Sequence, residues 1–510
     1  MSVDPKSLLK GSSYIESIKD LHLEIQELYL SDETPWVIGY SGGKDSTAVL
    51  QLIWYAVSEL PPENRVKPIH VISTDTLVEN PIVALWVNRS LEVMADAAES
   101  QGMPIRPHRL TPKVNETFWV NLIGRGYPAP RLKFRWCTER MKINPANDFI
   151  KRTVQENGEA IVVLGTRIAE SAKRASTMKR HGLKAVRDKL TPNASMQNSL
   201  VYTPIENWSN DDVWFYLMQV KNSWGYNNKD LLTMYSGATA DGECPLVVDT
   251  NTPSCGNSRF GCWVCTLVDE DKSMTAMIQN DYEKEWMLPL LEIRNEMDFR
   301  TEGARARDQK NRDFRRMSGQ VQYFEDKDGN GRLIRGPYTQ QARATWLRKV
   351  LEAQALVRKD GPDEVRHWEL VTREELEEIR RIWVSEKHEV EDLLPQVYME
   401  ATGEAYSGES MTADPILSSE SLDILKDLTQ DDPLHYELTR NLLDIERRYR
   451  NKALRRGLFK DLNSAIARCF YSSEDDALQR ATEKAKIRDA REHGAELPFD
   501  ETEAKGGLVI

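Results

Sequence analysis

Ser41-Gly42-Gly43-Lys44-Asp45-Ser46-Thr47 sets small, polar and cationic side chains between the apolar run Trp36-Val37-Ile38-Gly39-Tyr40 and the periodic stretch Ala48–Trp54. Small residues there let the backbone approach a polyphosphate. Successive N–H groups and a helix N-terminus supply positive potential, and Lys44 adds a full charge. A plain glycine turn has no need of a lysine and a serine directly after its glycines. The stretch is therefore expected to hold the phosphates of a nucleotide. It departs from the Walker A pattern, in which four residues separate the first glycine from Gly-Lys-Ser/Thr.

The second chemically loaded group is sulfur. Of six cysteines, Cys244, Cys255, Cys262 and Cys265 fall within 22 positions on a glycine-rich segment, so four thiolates can wrap one metal centre. Structural zinc generally uses two tight pairs, and only Cys262-Trp263-Val264-Cys265 is tight here; a four-iron cluster tolerates the irregular spacing better, with zinc and a redox dithiol as alternatives. Cys137 stands apart, flanked in sequence by Lys133, Arg135, Arg140 and Lys142. Such a setting lowers a thiol's pKa and favours a nucleophile, the alternative being a further cluster ligand. Cys469, in an apolar helical stretch, is expected in the core.

These groups need elements to position them. Apolar positions between residues 14 and 30 follow helical spacing and predict a helix leading into a strand at Trp36–Tyr40, with a second helix after the loop. Ile69–Ser73 reads as a second strand ending in Thr74-Asp75-Thr76, followed by a helix over Pro81 to Ser100; Pro104–Leu110 and Ala160–Gly165 read as further strands. Strands alternating with helices predict an α/β fold, a Rossmann-like parallel sheet covered on both faces. Ligands bind at the carboxyl ends of such strands, where Ser41, Asp75 and Arg167 all fall. Between residues 167 and 190 eight basic residues, Arg167, Lys173, Arg174, Lys179, Arg180, Lys184, Arg187 and Lys189, face only Glu170 and Asp188, which predicts either a phosphate-binding lip or a solvated loop.

Beyond about residue 270 the alternation gives way to charged amphipathic stretches. Arg300–Arg316 reads as a solvated helical face, and Thr372-Arg373-Glu374-Glu375 as a capping box. Asp326-Lys327-Asp328-Gly329-Asn330-Gly331 suits a hairpin turn and not a calcium loop, because the twelfth position is Pro337. Residues 403 to 435 read as containing a linker and the last dozen as a frayed tail. The expected layout is a nucleotide-binding domain over 1–240, a cysteine segment over 241–270 and a mainly helical charged region over 271–510. A net charge of −12 argues against a surface that coats nucleic acid throughout, while leaving room for a local basic groove. With no membrane-spanning run, no signal-peptide layout and few cysteines, the expectation is a soluble cytoplasmic protein with no membrane partner.

Taken in order, the loop Ser41–Ser46, the exit Asp75-Thr76, Arg140-Met141-Lys142-Ile143-Asn144-Pro145, Gly165-Thr166-Arg167 with Glu170-Ser171 and Arg174, and Pro204-Ile205-Glu206-Asn207-Trp208-Ser209-Asn210-Asp211-Asp212-Val213-Trp214 resemble phosphoadenosine phosphosulfate reductase-like proteins over about residues 15 to 270. The resemblance implies an adenine nucleotide alpha-hydrolase-like fold. It also implies a pyrophosphatase-type loop that splits ATP into AMP and pyrophosphate, and an Asp75 near the adenosine. On that footing Ser41, Gly42, Gly43, Lys44, Asp45, Ser46 and Thr47 hold the nucleotide, Mg2+ and Arg167 neutralise its phosphates, and Lys44, Asp45, Arg167 and Cys137 are the expected catalytic groups. Reductases of this family end in a Glu-Cys-Gly-hydrophobic-His tail, whereas this chain ends Lys505-Gly506-Gly507-Leu508-Val509-Ile510, so sulfonucleotide reduction is the alternative.

Together with Phe134-Arg135-Trp136-Cys137-Thr138, Gly261-Cys262-Trp263-Val264-Cys265-Thr266 and a charged helical C-terminal half, the domain is similar to the DndC-type sulfurtransferases of DNA phosphorothioation. That similarity implies a [4Fe-4S] cluster on Cys244, Cys255, Cys262 and Cys265. It implies ATP-dependent replacement of a non-bridging DNA backbone oxygen by sulfur, and partnership with DNA, a cysteine desulfurase and the other phosphorothioation proteins. A non-catalytic nucleotide or iron–sulfur scaffold is the reading from a different class.

Overall fold

The computed structural model describes residues 14–170, 189–194, 196–238, 260–325, 331–408, 418–429 and 432–492. The chain divides into two compact units, one made of Met1–Phe118, Pro130–Asp298 and Ala353–Leu370, the other of Trp119–Ala129, Phe299–Glu352 and Val371–Ile510.

The first unit is built on a six-stranded sheet from β1 (Trp36–Gly39), β2 (Ile69–Thr74), β3 (Ile105–Leu110), β4 (Ala160–Val163), β5 (Thr191–Pro192) and β6 (Ser199–Tyr202), in the order β3-β2-β1-β4-β6-β5. All neighbouring pairs are parallel except β5 with β6. Central β1 is apolar throughout, as burial on both faces requires, and Ile38 pairs with Val71 on one side and Val163 on the other. Alternation sends Trp36 and Ile38 into a large core shared with α1 (Tyr14–Leu30), α2 (Lys44–Ser58) and α3 (Pro81–Ser100). Val37, Ile72 and Val162 point to the opposite face, where Ile150 of α4 (Asn144–Asn157) covers them. Pro192, which has no N–H to donate, stands on the edge strand. The expected strands and the helices at 14–30 and 81–100 are all present, with strand ends shifted by no more than two residues.

The second unit is mainly helical, with a short hairpin of β7 (Tyr323–Glu325) and β8 (Gly331–Leu333) where the glycine-rich turn was expected. Thr372 and Glu375 form the capping box in full. Trp383 donates its indole N–H to the Ile123 carbonyl at 2.9 Å, and Gly124 packs against Ile379 and Ile382 so closely that a Cβ would lie 3.2 Å from Ile382. Within residues 403 to 435, read as containing a linker, Ser419–Leu428 forms a helix whose Leu422 is buried with Val390. One expectation is corrected here. In the segment read as a solvated basic face, Arg312 and Arg315 are buried: Arg315 is held by Asp313 at 2.8 Å and Glu437 at 2.7 Å, and Arg312 by Asp308 at 3.3 Å. Asp308 and Asp313 are local partners, while Glu437, 122 residues on and invisible to local charge patterning, completes the set that a buried guanidinium needs. Cys469 is half-buried, with Arg315 Nη1 at 3.9 Å from its sulfur.

Candidate functional site

The stretch after β1 folds as a loop closed on itself. The Ser46 hydroxyl donates to the Gly43 carbonyl at 3.0 Å and receives the Ser41 N–H at 3.2 Å. Gly42 takes a left-handed φ of +70°, and a Cβ there would lie 2.5 Å from Val87 of α3, so only glycine fits. Gly43 is the N-cap of α2 and no side chain caps the helix, which leaves its N-terminal N–H groups directed at the cavity. The Lys44 N–H approaches Tyr235 Oη at 3.4 Å, and the Lys44 ammonium lies 5.3 Å from the Tyr235 ring.

A cavity of about 790 Å³ opens over the carboxyl ends of the central strands; Ser41–Asp45, Asp75, Glu79, Lys142, Arg167 and Tyr235 all line it. The three strand exits singled out by sequence thus meet in one place. Gly165, at the exit of β4, lies so near the loop that a Cβ would stand 3.0 Å from the Asp45 backbone. Arg167 is 4 % exposed; its Nε donates to Asp45 Oδ1 at 2.7 Å and its Nη1 to the Trp208 carbonyl at 3.3 Å. Asp75 receives both Nε, at 2.9 Å, and Nη2 of Arg109.

The cysteine segment reaches this cavity through backbone pairing. Asn80 N–H donates to Gly261 O at 3.2 Å and Trp263 N–H to Val78 O at 3.0 Å, which makes a bridge between Glu79 and Cys262. Cys262 Sγ lies 3.4 Å from Thr76 Oγ1 and 3.8 Å from Glu79 Oε1, and Lys142 Nζ stands 3.3 Å from the same Glu79 oxygen. Burial, with Glu79 beside it, pushes the Cys262 thiol up to about 12; Lys142 opposes this. In turn the charges of Cys262 and Glu79 hold Lys142 protonated well above the ordinary lysine range. Cys265 is tied back by its N–H to Cys262 O at 3.0 Å, and its carbonyl accepts from buried Arg294 at 3.1 Å.

Cys137 is close enough to Cys265 for the two sulfurs to influence each other electrostatically. Its thiol is raised, chiefly by burial, and not lowered as the four basic neighbours in sequence suggested. The chain enters a π-helix at Thr138–Ile143, and Lys142, one of the four, is engaged by Glu79 and Cys262. Cys244, Cys255 and the basic run from Lys173 to Arg187 lie outside the described residues, while Lys189 pairs with Glu24 at 2.9 Å. Among the described residues no group of three or more His, Cys, Asp or Glu is placed to hold a metal ion. Among the described residues no cysteine lines the cavity itself; Cys262 stands behind its Glu79 wall.

Sequence reasoning missed Tyr235, Lys142, Glu79 and Arg109. Lys142 lay within the quoted Arg140–Pro145 element and Arg109 near a strand exit; Tyr235 carried no local signal, since it reaches the loop from α6 (Asn228–Gly237). Ser209 and Asp212 form a capping box that starts α5 (Asn210–Gln219), legible as Ser-x-x-Asp.

Residues 35–267 match the family model of the phosphoadenosine phosphosulfate reductase domain. An uncharacterized protein of Methanocaldococcus jannaschii is 27% identical over 197 residues, spanning 39% of this chain and 34% of its own length. Similar solved structures include phosphoadenylyl-sulfate (PAPS) reductase from Candida auris in a phosphate complex, at 16% identity, covering 44% of this chain and 92% of that one with a TM-score of 0.25. The U34-tRNA thiolase NcsA from Methanococcus maripaludis with its [4Fe-4S] cluster is 11% identical, covering 57% and 80% with a TM-score of 0.27. Candida glabrata FMN adenylyltransferase with FMN and an ATP analogue is 11% identical, covering 50% and 71% with a TM-score of 0.27. No described helix is long and apolar enough to cross a membrane.

Proposed function

We propose that this chain is an ATP-dependent sulfurtransferase that adenylates a backbone phosphate of DNA and replaces a non-bridging oxygen by sulfur. The observation that supports this reading is the Glu79–Cys262 bridge, which sets a thiol beside the cavity whose other wall is the phosphate loop. A phosphodiester oxygen is a poor leaving group. In the proposed first step it attacks the α-phosphorus of ATP, a new P–O bond forms, the α–β bridging bond breaks and pyrophosphate leaves. The N–H groups at the start of α2 and the Lys44 ammonium stabilise the charge that develops. Mg2+, when bound, would neutralise further charge; it would be held mainly by the phosphates and water, since Asp45 and Asp75 are engaged by Arg167 and Arg109.

Sulfur then arrives as a persulfide on Cys137, loaded by a cysteine desulfurase. The terminal sulfur attacks the adenylated phosphorus, a P–S bond forms and AMP leaves with the P–O electron pair. A second thiol, from an external dithiol reductant, cleaves the S–S bond and leaves sulfur on the phosphate. Cys262 and Cys265, together with Cys244 and Cys255, would hold a [4Fe-4S] cluster, which supplies a redox-active or sulfide-binding centre when bound.

Incubation of iron-reconstituted protein with α-labelled ATP, with and without DNA, tests the proposal. DNA-stimulated release of AMP and pyrophosphate is expected; formation of ADP, or turnover that requires only a sulfonucleotide, would refute it. The second outcome would favour reduction, the reading that the domain match at residues 35–267 also accommodates.

A further inference from the structure

Beside the nucleotide cavity lies a second one of about 600 Å³, between the end of β3 and α4. Arg109 lines both, and its partner Asp75 lies on the side of the first. Its cations are Arg109, Lys113, Lys151 and Arg152, its carboxylates Glu116 and Asp148. Both carboxylates are already engaged: Asp148 by Lys113 Nζ at 2.9 Å and Glu116 by the amide of Asn144 at 3.1 Å. Lys151 and Arg152 are exposed on α4 and have no ion pair among the described residues. Arg152 is steered by the Phe149 ring, 5.8 Å from its guanidinium carbon, and by the Asp148 carbonyl at 3.4 Å.

We infer that this cavity is an anion subsite beside the nucleotide cavity, and that in the working enzyme it receives a backbone phosphodiester of the DNA acceptor. The inference rests on the DNA reading above. Two cations without an ion pair among the described residues, in a concavity that shares Arg109 with the nucleotide pocket, suit a phosphate better than a flat acidic protein surface. The apolar members of the lining are Leu110 and Pro145, with no exposed ring on which a base could stack, so the contact would position the strand without reading it. The same chemistry could come from a 3′-phosphate on a mononucleotide.

The test compares wild type with the double variant Lys151→Ala/Arg152→Ala, using fluorescence anisotropy with a short labelled duplex across a salt series. Losing two phosphate contacts should lower the log–log salt slope by about 1.8, so that between 50 and 200 mM salt the wild type loses about tenfold more affinity than the variant. ATP affinity should stay within about twofold. A second arm measures adenosine 3′,5′-bisphosphate against AMP. If the variant loses only the preference for the bisphosphate, the subsite stands and its ligand is the mononucleotide phosphate. Unchanged DNA slope and unchanged bisphosphate preference would overturn the subsite while leaving the DNA reading intact. Wild-type protein that binds no DNA yet needs Lys151 and Arg152 for the bisphosphate would overturn the DNA reading alone.

Discussion

Replacement of Arg167 by alanine tests how the phosphate loop is held. The guanidinium is 4 % exposed and is shared between Asp45 at 2.7 Å and the Trp208 carbonyl at 3.3 Å. Breaking a buried ion pair by removing one partner costs about 3–5 kcal/mol. Asp45 keeps 21% exposure and has Lys44 Nζ at 3.5 Å, which moves the expectation to the lower end, about 3 kcal/mol. For a domain of this size each kcal/mol shifts the melting temperature by about 2–4 °C, so the transition of the unit that carries the loop should fall by about 6–12 °C. Scanning calorimetry of the full chain, with that transition identified by its ATP-dependent shift, measures it. A double-mutant cycle with Asp45→Ala adds the mechanistic test: if Arg167 acts through Asp45, the double variant binds ATP as weakly as Asp45→Ala alone, with a coupling energy of about 1.5 kcal/mol or more. A melting temperature within about 2 °C of wild type, or an ATP affinity in the double variant a further tenfold below that of Asp45→Ala, would refute the reasoning; the latter would assign Arg167 to the phosphates directly.

Gly42→Ala should lower ATP affinity by about tenfold or more, because a left-handed alanine costs about 1–2 kcal/mol before any clash with Val87. Gly303→Ala, whose Cβ meets nothing within 4 Å, is the control, and isothermal titration that gave both variants wild-type affinity would contradict the loop geometry. The acid limb of stability should depend on His70, which sits on β2 with His108 at 3.0 Å and the Phe149 ring 5.5 Å away. Burial, then His108 and Arg106, lower its pKa to about 4. The unfolded chain takes up the proton near pH 6.5 and the folded one only near 4. The stabilisation is therefore complete above pH 6.5 and is lost as pH falls toward 4, by up to about 3 kcal/mol. Urea midpoints of His70→Leu between pH 7.5 and 4.5 should fall less than those of wild type; parallel profiles would rule the effect out.

Much of the fold was legible because its determinants are local. Trp36–Gly39 and Ala160–Val163 are short apolar runs between breakers, and Asn80-Pro81 opens a helix whose bounds match the periodicity at both ends. The loop and the two strand exits beside it were legible for the same reason, since doubly wound sheets present their ligand sites there. What local pattern could not reveal is pairing across the chain. Arg167 reads as a free cation until Asp45, 122 residues earlier, is placed against it, and Arg315 as a solvated charge until Glu437 closes on it. The four bases around Cys137 illustrate the converse: nearness in sequence suggested a lowered thiol, whereas Lys142 is held by Glu79 and burial raises the Cys137 thiol.

The pairing of Val78 and Asn80 with Trp263 and Gly261 bears on which sequence changes this segment can accept. Successive residues of a paired strand face opposite ways, so a single inserted or deleted residue between Phe260 and Cys262 would turn the thiol away from Glu79 and present its neighbour instead. Length variation around the cysteines is thus tolerable only where it leaves that short ladder in phase. An insertion two residues long should preserve the thiol's facing where one residue destroys it. Among relatives of this chain, the distance from Gly261 to Cys265 is expected to vary less than the intervals separating the earlier cysteines.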